Sequence, residues 1–525
     1  MTTQLLVGGR IYSPTAPDAT SMAVTDGTVV WVGEDRPGRA LHPDAEIVDL
    51  DGAFVAPAFV DTHVHTTALG LALTGLDLSS ARSLRECLEL VRQYAATHDD
   101  AVVWGQGWDE TAWPDSDRGP STGDLDTVAP GRAVYLSRID AHSAACSTAL
   151  REAAGTPGDA PVTADDHHRA RSAARDLLTP DQRRRARAAA LDHAAAHGVA
   201  AVHECAGPDI AGREDLAELL AHPHGVEVRA YWGEAVTSAE EATALLAQTG
   251  AHALGGDLFV DGAIGSRTAW LTEPYADRST TGSSYLDEDA VAAHLHACTL
   301  AGIQAGFHVI GDAAVGAVVA AFDRVAAELG GPKVAACGHR LEHVEMITPE
   351  QAATLGRWGV VASVQPAFDA LWGGPDGLYT QALGAERARA MNPFAAMASA
   401  GVSLALGSDA PVTPVDPWSM LRAAVDHHTE GQSLSPRAAF SAATRGAWRA
   451  GGVRDGLAGT LVPGAPASYA MWDAGELVVS APKDTVQRWS TDPRSRVPAL
   501  PRLEAGAPTP VCLATVHRGA TIYAR

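Results

Sequence analysis

Between residues 54 and 410 the chain keeps changing rhythm. Short apolar runs ("VAAVHECA", "VEVRAYWGE", "GDLFVDGA", "QAGFHVIGD", "HRLEHVE", "VVASVQPAF", "SLALGSDAP") alternate with longer alanine-rich stretches such as "DEDAVAAHLHACTLAG" and "DAAVGAVVAAFDRVAAELG". An apolar run without polar alternation is a strand buried on both faces, which requires helices on both sides of a parallel sheet. The number of units predicts an α/β chain built on a distorted (β/α)8 TIM barrel, whose functional residues gather at the strands' C-terminal ends. The first barrel strand is read in "FVAPAFVDTHVH", residues 54–65.

Both ends of the chain differ from the middle. "LLVGGRIYS" and "SMAVTDGTVVWVGE" near the start, and "ASYAMWD" and "VCLATVHRGATIYA" near the end, are β-rich runs punctuated by Gly and Asp. They predict one small β-sandwich assembled from residues 1–55 and 455–525, with the barrel spanning 56–454. Residues about 104–180, with "AVYLSR" and "GQGWDETAWP", hold more segments than eight units need and are expected to form an insertion or lid over the barrel mouth. A chain of 525 residues is long enough for such a division.

The net charge of −24 speaks against nucleic acid and anionic membrane as partners. No secretory signal opens the sequence, and no apolar run is long enough to span a bilayer. Cys87, Cys146, Cys205, Cys298, Cys337 and Cys512 are scattered without metal-ligand spacing, as free thiols in a reducing compartment would be. The expectation is a cytoplasmic protein that takes a small-molecule substrate, with a homodimer left open.

Polar residues recur where the apolar runs stop. His63 and His65 close the first strand, His308 closes "QAGFHV", His343 closes "HRLEHV" and Asp409 closes "SLALGSD". Residues i and i+2 of a strand share a face, so His63 and His65 can point together into the barrel mouth. Four imidazoles and a carboxylate converging there suit a first-row divalent cation, with zinc the default for a histidine-rich set. His167 and His168, in a polar stretch, and His294 and His296, on a helix, read instead as solvated or packing residues.

A longer series of motifs runs in order along nearly the whole chain: "VDTHVH", "GWDETAWP", "YLSRIDAHSA", "FVDGAIGSRTAWLTEPY", "HVIGDAAV", "RLEHVE", "LGSDAPV" and "AGTLVPGAPASYAMWD". In these the chain resembles the metal-dependent amidohydrolase superfamily, in its N-substituted formamide deformylase-like (amidohydrolase 3) branch. The resemblance implies hydrolysis of a non-peptide C–N bond, an amide and by that branch an N-substituted formamide, through a metal-activated hydroxide. It places His63, His65, His308, His343 and Asp409 on metal-ligand positions. Asp409 then moves the proton, and His343 orients water or steadies the oxyanion. Asp261, Arg267 and Thr268 fall in the loop after the fourth strand, with Arg267 suited to a carboxylate or carbonyl or, equally, to an ion pair inside the loop. Trp108, Trp113, His142 and Trp270 are candidates for an apolar pocket wall, or for plain packing.

Binuclear members of the superfamily bridge two metals with a carboxylated lysine in a pattern like "K-x-x-x-D-G". Here "DLFVDG" puts Asp257 at that position, and the chain has two lysines in all, Lys333 and Lys483, neither on this strand. A carbamate bridge is therefore excluded, and one ion, held by His63, His65, Asp409 and His308 with His343 left for catalysis, is favoured over two. Asp257, or Glu204 in "VHECAG", is the carboxylate that could take the lysine's place, although Asp257 is several bonds shorter and would need its strand to move inward. The readings left beside the amidase are a deaminase of a nucleobase-like aminoheterocycle and a metal-free binding protein.

Overall fold

A computed structural model describes residues 2–110, 113–116, 118–139, 143–208, 210–479 and 497–525. The chain divides into two units, one made of Met1–His65 with Asp192–Arg525 and the other of Thr66–Leu191.

Eight parallel strands organise the first unit: β1 (Phe59–Val64), β2 (Val199–Ala206), β3 (Glu227–Trp232), β4 (Ala253–Leu254), β5 (Gly306–Val309), β6 (Arg340–His343), β7 (Val361–Val364) and β8 (Ser403–Leu406). They form two four-stranded sheets, ordered β4-β3-β2-β1 and β5-β6-β7-β8. Parallel bridges Leu254–Ala305 and Val64–Ala410 link the two sheets at both edges, so strand neighbours follow chain order around a closed circuit. Every residue of β1, β2, β5, β6 and β7 is buried, as the unbroken apolar runs require when both faces are covered.

Helices separate the strands and carry their own start signals. Helix Asp312–Leu329 after β5 buries Ala314, Val315, Ala317, Val318, Ala321, Phe322 and Val325, an i, i+3, i+4 stripe. Helix Pro349–Arg357 after β6 begins with a reciprocal capping box between Thr348 and Gln351 and has Pro at its first turn.

β4 is the irregular member. The segment that follows it runs against β5 through His308 N–H to Leu258 O (2.9 Å) and Val260 N–H to His308 O (3.0 Å). Two glycines permit this course. A side chain on Gly255 would come within 2.4 Å of the Gly306 backbone, and Gly256 has φ +70°. The close approach delivers Asp257 to the strand ends.

The two chain ends supply further strands to the same unit. One sheet orders Thr28–Gly33, Ser21–Thr25, Thr3–Val7 and Glu46–Asp49; another orders Arg10–Ile11, Phe54–Pro57, Tyr469–Asp473, Val511–His517 and Ala520–Ala524. Leu6, Met22 and Val24 from the start share a buried cluster with Leu461, Tyr469 and Val516 from the end.

The second unit has its own five-stranded sheet, ordered Val162–Thr163, Ser143–Cys146, Ala133–Arg138, Val102–Trp108 and Leu76–Asp77. It begins before residue 104 because Leu76–Asp77 pairs in parallel with Val102–Trp108. Among the described residues, no helix is long and apolar enough to cross a membrane.

Candidate metal centre

The strand ends bring the expected side chains together. His63 on β1 and His65 just beyond it lie on one side, with ring centroids 5.3 Å apart. His343 closes β6 with its ring 5.1 Å from His63 and 4.5 Å from His308 on β5. Asp409 enters after β8, where its backbone N–H donates to His63 O (2.8 Å) and His65 N–H donates to Ala410 O (2.9 Å). Gly407 makes that approach possible, since a Cβ there would stand 2.6 Å from the His63 backbone nitrogen. Asp61 joins the same strands from below, accepting from Ser408 N–H (2.8 Å) and His63 N–H (3.3 Å).

Two donor sets share His63: His63, His65 and Asp257 form one, and His63, His343 and Asp409 the other, the ligand atoms of each lying within 4.8 Å of one another. His63 Nε2 lies 3.4 Å from Asp257 Oδ1 and 3.4 Å from Asp409 Oδ1. His65 Nε2 lies 3.3 Å from Asp257 Oδ2 and 3.3 Å from Asp409 Oδ1. Ligands about 2.1 Å from a tetrahedral cation stand roughly 3.4 Å from one another, so these four separations have the length that donors sharing a cation would show. His63 Nε2 and Asp257 Oδ1 are also buried without a hydrogen-bond partner, which is costly unless something charged sits between them. The residues present fit a divalent cation. Asp257, at the lysine position, straddles both imidazoles.

The tautomers are set from behind. Nδ1–H of His63 donates to Glu342 Oε2 (3.0 Å), that of His65 to Cys205 O (3.1 Å) and that of His343 to Gln365 Oε1 (2.7 Å). Each bond leaves an Nε2 lone pair facing forward, as metal-binding imidazoles require. His308 Nδ1 is 3.7 Å from Asp261 Oδ1 and makes no hydrogen bond.

The electrostatics agree. Burial works against protonation of His63, yet Cys205, Asp257 and Asp409 raise its pKa well above the usual imidazole value. His65 is raised against burial by Asp409 and Asp257. Asp257 is lowered, with His63, His65 and His308 outweighing its burial. Protons on these rings are what a divalent cation would displace. His343 goes the other way, to about 4, because burial and the neighbouring His308 both disfavour its cation. His343 (φ 68°) and Asp409 (φ 58°) occupy the left-handed region, as does the β-branched Val344 (φ 53°). Strain of this kind persists where the surroundings hold a residue in place, and it gathers at functional sites.

Other expected residues are placed differently. Glu204 lies on β2 at 2% exposure, between His203, which reaches Arg340, and Cys205, which lies beside His63 and Glu342. Arg267 donates to Asp277 through Nε (3.0 Å) and through Nη1 to the carbonyls of Ile264 (3.0 Å) and Gly265 (2.8 Å), the ion pair inside the loop. Asp261, fully buried, accepts from Trp270 N–H (2.9 Å), Ile310 N–H (3.0 Å) and Gly311 N–H (2.7 Å), stapling that loop to the end of β5. Thr268 Oγ1 bonds Ser266 within the loop (2.6 Å), and the Trp270 side chain is half-buried there. Trp108, at 1% exposure, packs in the core of the second unit with Nε1–H donating to Leu136 O (2.9 Å), and Trp113 packs beside it. His142 and Lys483 lie outside the described residues. His294 is a packing residue: its Nδ1 accepts from Val236 N–H (3.1 Å) and its Nε2–H donates to Leu254 O (3.3 Å).

The residues behind the imidazoles (Glu342, Gln365, Asp61, Arg340 and the Cys205 carbonyl) have no place among the expected ligands. "RLEH" carried a signal for two of them. An Arg and a Glu at i and i+2 in a fully buried strand must face each other or some other charge.

The amidohydrolase family model matches residues 46–523. The chain belongs to the amidohydrolase family. It is 27% identical to protein LONG AFTER FAR-RED 3 of Arabidopsis thaliana, over 91% of this chain and 89% of that one. It is 28% identical to the putative amidohydrolase YtcJ of Bacillus subtilis, over 82% of this chain and 85% of that one. The N-substituted formamide deformylase of Arthrobacter pascens matches at 27% identity over 27% of each chain. Among solved structures, an uncharacterized metal-dependent hydrolase from Pyrococcus furiosus superposes with TM-score 0.74 at 25% identity, covering 89% of this chain and 98% of that one. This amidohydrolase is accordingly a hydrolase acting on carbon–nitrogen bonds.

Proposed function

We propose that this amidohydrolase cleaves a non-peptide amide, by its deformylase-like motifs an N-substituted formamide, and that it works with one divalent cation, by default zinc. The observation that carries the reading is the set of four 3.3–3.4 Å separations among His63, His65, Asp257 and Asp409. Bound between them, the cation would supply Lewis acidity and bring the pKa of water towards about 7. Asp409, whose Oδ1 touches both imidazoles, takes the proton of the attacking water and passes it to the leaving nitrogen. His343 is neutral at physiological pH, and with its Nδ1–H committed to Gln365 its Nε2 accepts a hydrogen bond, which suits orienting water rather than donating to an oxyanion. Asp257 supplies charge from the lysine position without a carbamate.

The eight-strand circuit and the cluster shared by both chain ends support a distorted (β/α)8 barrel at 56–454 with a β-sandwich from 1–55 and 455–525. Six buried free cysteines and the net charge of −24 support a reducing, cytoplasmic setting and a small-molecule substrate, with neither nucleic acid nor membrane as partner. A homodimer is the assembly to test by sedimentation.

Metal quantification beside a substrate panel tests the reading. About one equivalent of zinc, carboxylate or formate release from amides, and loss of both in His63→Ala are expected. Less than about 0.2 equivalents after supplementation, with no turnover, would overturn it. Ammonia release from aminoheterocycles without amide cleavage would replace the amidase by a deaminase.

A further inference from the structure

Behind the cation site lies an ion pair that the hydrolysis does not use. Arg340 and Glu342 face each other on β6, Nε to Oε1 2.7 Å and Nη2 to Oε2 2.9 Å, both at 0% exposure. Arg340 also reaches His203 Nδ1 on β2 (2.8 Å), Ser363 Oγ on β7 (3.2 Å) and the Thr62 carbonyl on β1, and lies 4.3 Å above the Tyr231 ring on β3. Five strands thus converge on one guanidinium. Burying two charges so completely is expensive, and hydrocarbon of equal volume would serve stability as well or better, so the pair needs another reason to exist.

The geometry supplies one. Three forward-facing imidazoles have Nδ1–H acceptors of different character: a carboxylate behind His63, a peptide carbonyl behind His65 and an amide oxygen behind His343. His63 alone among these three is backed by a full negative charge. We infer that Glu342, held in place by its ion pair with Arg340, is the positioning residue for His63: it fixes the tautomer that turns Nε2 forward, strengthens that nitrogen as a donor and thereby sets the affinity of the site for a divalent cation. The inference rests on His63 being a cation ligand, as proposed above.

Cobalt(II) loading of the full-length protein tests it without recourse to turnover. An imidazole bound through Nε2 keeps an exchangeable Nδ1–H, seen as a proton signal shifted far downfield by the cobalt, and loss of one signal in His63→Gln assigns it. The His63 signal is expected to exchange with deuterium oxide more slowly than that of His65, whose acceptor is uncharged. In Glu342→Gln, cation affinity measured against a competing chelator is expected to fall 10- to 100-fold. That variant strands a buried Arg340, so Arg340→Met/Glu342→Gln, which removes both charges and keeps an acceptor, is measured beside it and should lose affinity alike. A folded variant binding cobalt within twofold of the wild type overturns the inference, as does cobalt-loaded wild type with no exchangeable His63 signal. Should neither variant fold, the wild-type exchange order decides, with a His63 proton that exchanges faster than that of His65 counting against it. Wild type that takes up no cobalt overturns the metal reading itself, a separate failure.

Discussion

Asp257 shows how one residue can redefine a site. A carboxylated lysine is long and reaches the cations from a distance; an aspartate must be carried there, and the Gly255–Gly256 pair does the carrying by letting the backbone press against Gly306. Its two oxygens then divide between His63 and His65. Asp257→Ala is expected to reduce bound zinc from about one equivalent to less than about 0.2, because two neutral imidazoles and one carboxylate remain to hold a dication. Zinc content equal to the wild type's would remove Asp257 from the donor set. At this scale the sequence was readable where chemistry stands out from its surroundings: His63, His65, His308, His343 and Asp409 each end an apolar run. Gln365 was not, and for Glu342 "RLEH" announced a buried charge pair without its partner, because a polar residue within or just past a strand gives no sign of which imidazole it will meet. Arg267 was legible only as a choice between a substrate carboxylate and an ion pair inside the loop, because a guanidinium suits both, and Asp277 is the partner it meets.

At the scale of elements, parallel strands are recognisable by their unbroken burial, whereas pairings between distant segments are not. β3 meets the C-terminal hairpin through Glu227, which faces Arg229 (3.1 Å), His517 (3.3 Å) and Arg518 (3.2 Å). Burial would raise the Glu227 carboxyl, but His517, Arg229 and Arg518 bring it to about 2. A carboxyl lowered on folding contributes stability above its unfolded pKa of about 4.5 and loses it as pH falls towards 2. Glu227→Gln should therefore cost about 1–3 kcal/mol at pH 7 in urea denaturation, and the gap from wild type should close as pH falls from 4.5 towards 2. A gap that stays constant over that range would show that the contribution is packing and not charge. The short β4 was equally hidden: "GDLFVDGA" reads as a regular strand, and the irregular course appears once Gly255 has Gly306 to lie against.

At the scale of the whole molecule, the proposed cation donors all belong to one of the two units, Met1–His65 with Asp192–Arg525. A ligand that binds the folded state alone stabilises it by about 4 kcal/mol at a thousandfold excess over its Kd. Removing the metal with a chelator is thus expected to lower hydrogen-exchange protection in residues 59–65, 255–261, 306–310, 340–345 and 403–410 while leaving 66–191 unchanged. Equal loss in both units would indicate that they unfold together. The β-rich ends were legible as strands from their composition, but the pairing of Tyr469–Asp473 with Phe54–Pro57 joins segments some four hundred residues apart, and no local pattern encodes such a partner.

The bridge between Val64 and Ala410 has a consequence for the life of the chain in time. At ribosomal speeds of about 5–20 residues per second, His63 is synthesised roughly 17–70 s before Asp409. Throughout that interval the nascent polypeptide carries its paired imidazoles without the last carboxylate that would close around them. A cation held between His63 and Asp409 would therefore be taken up only once the final strand has been made.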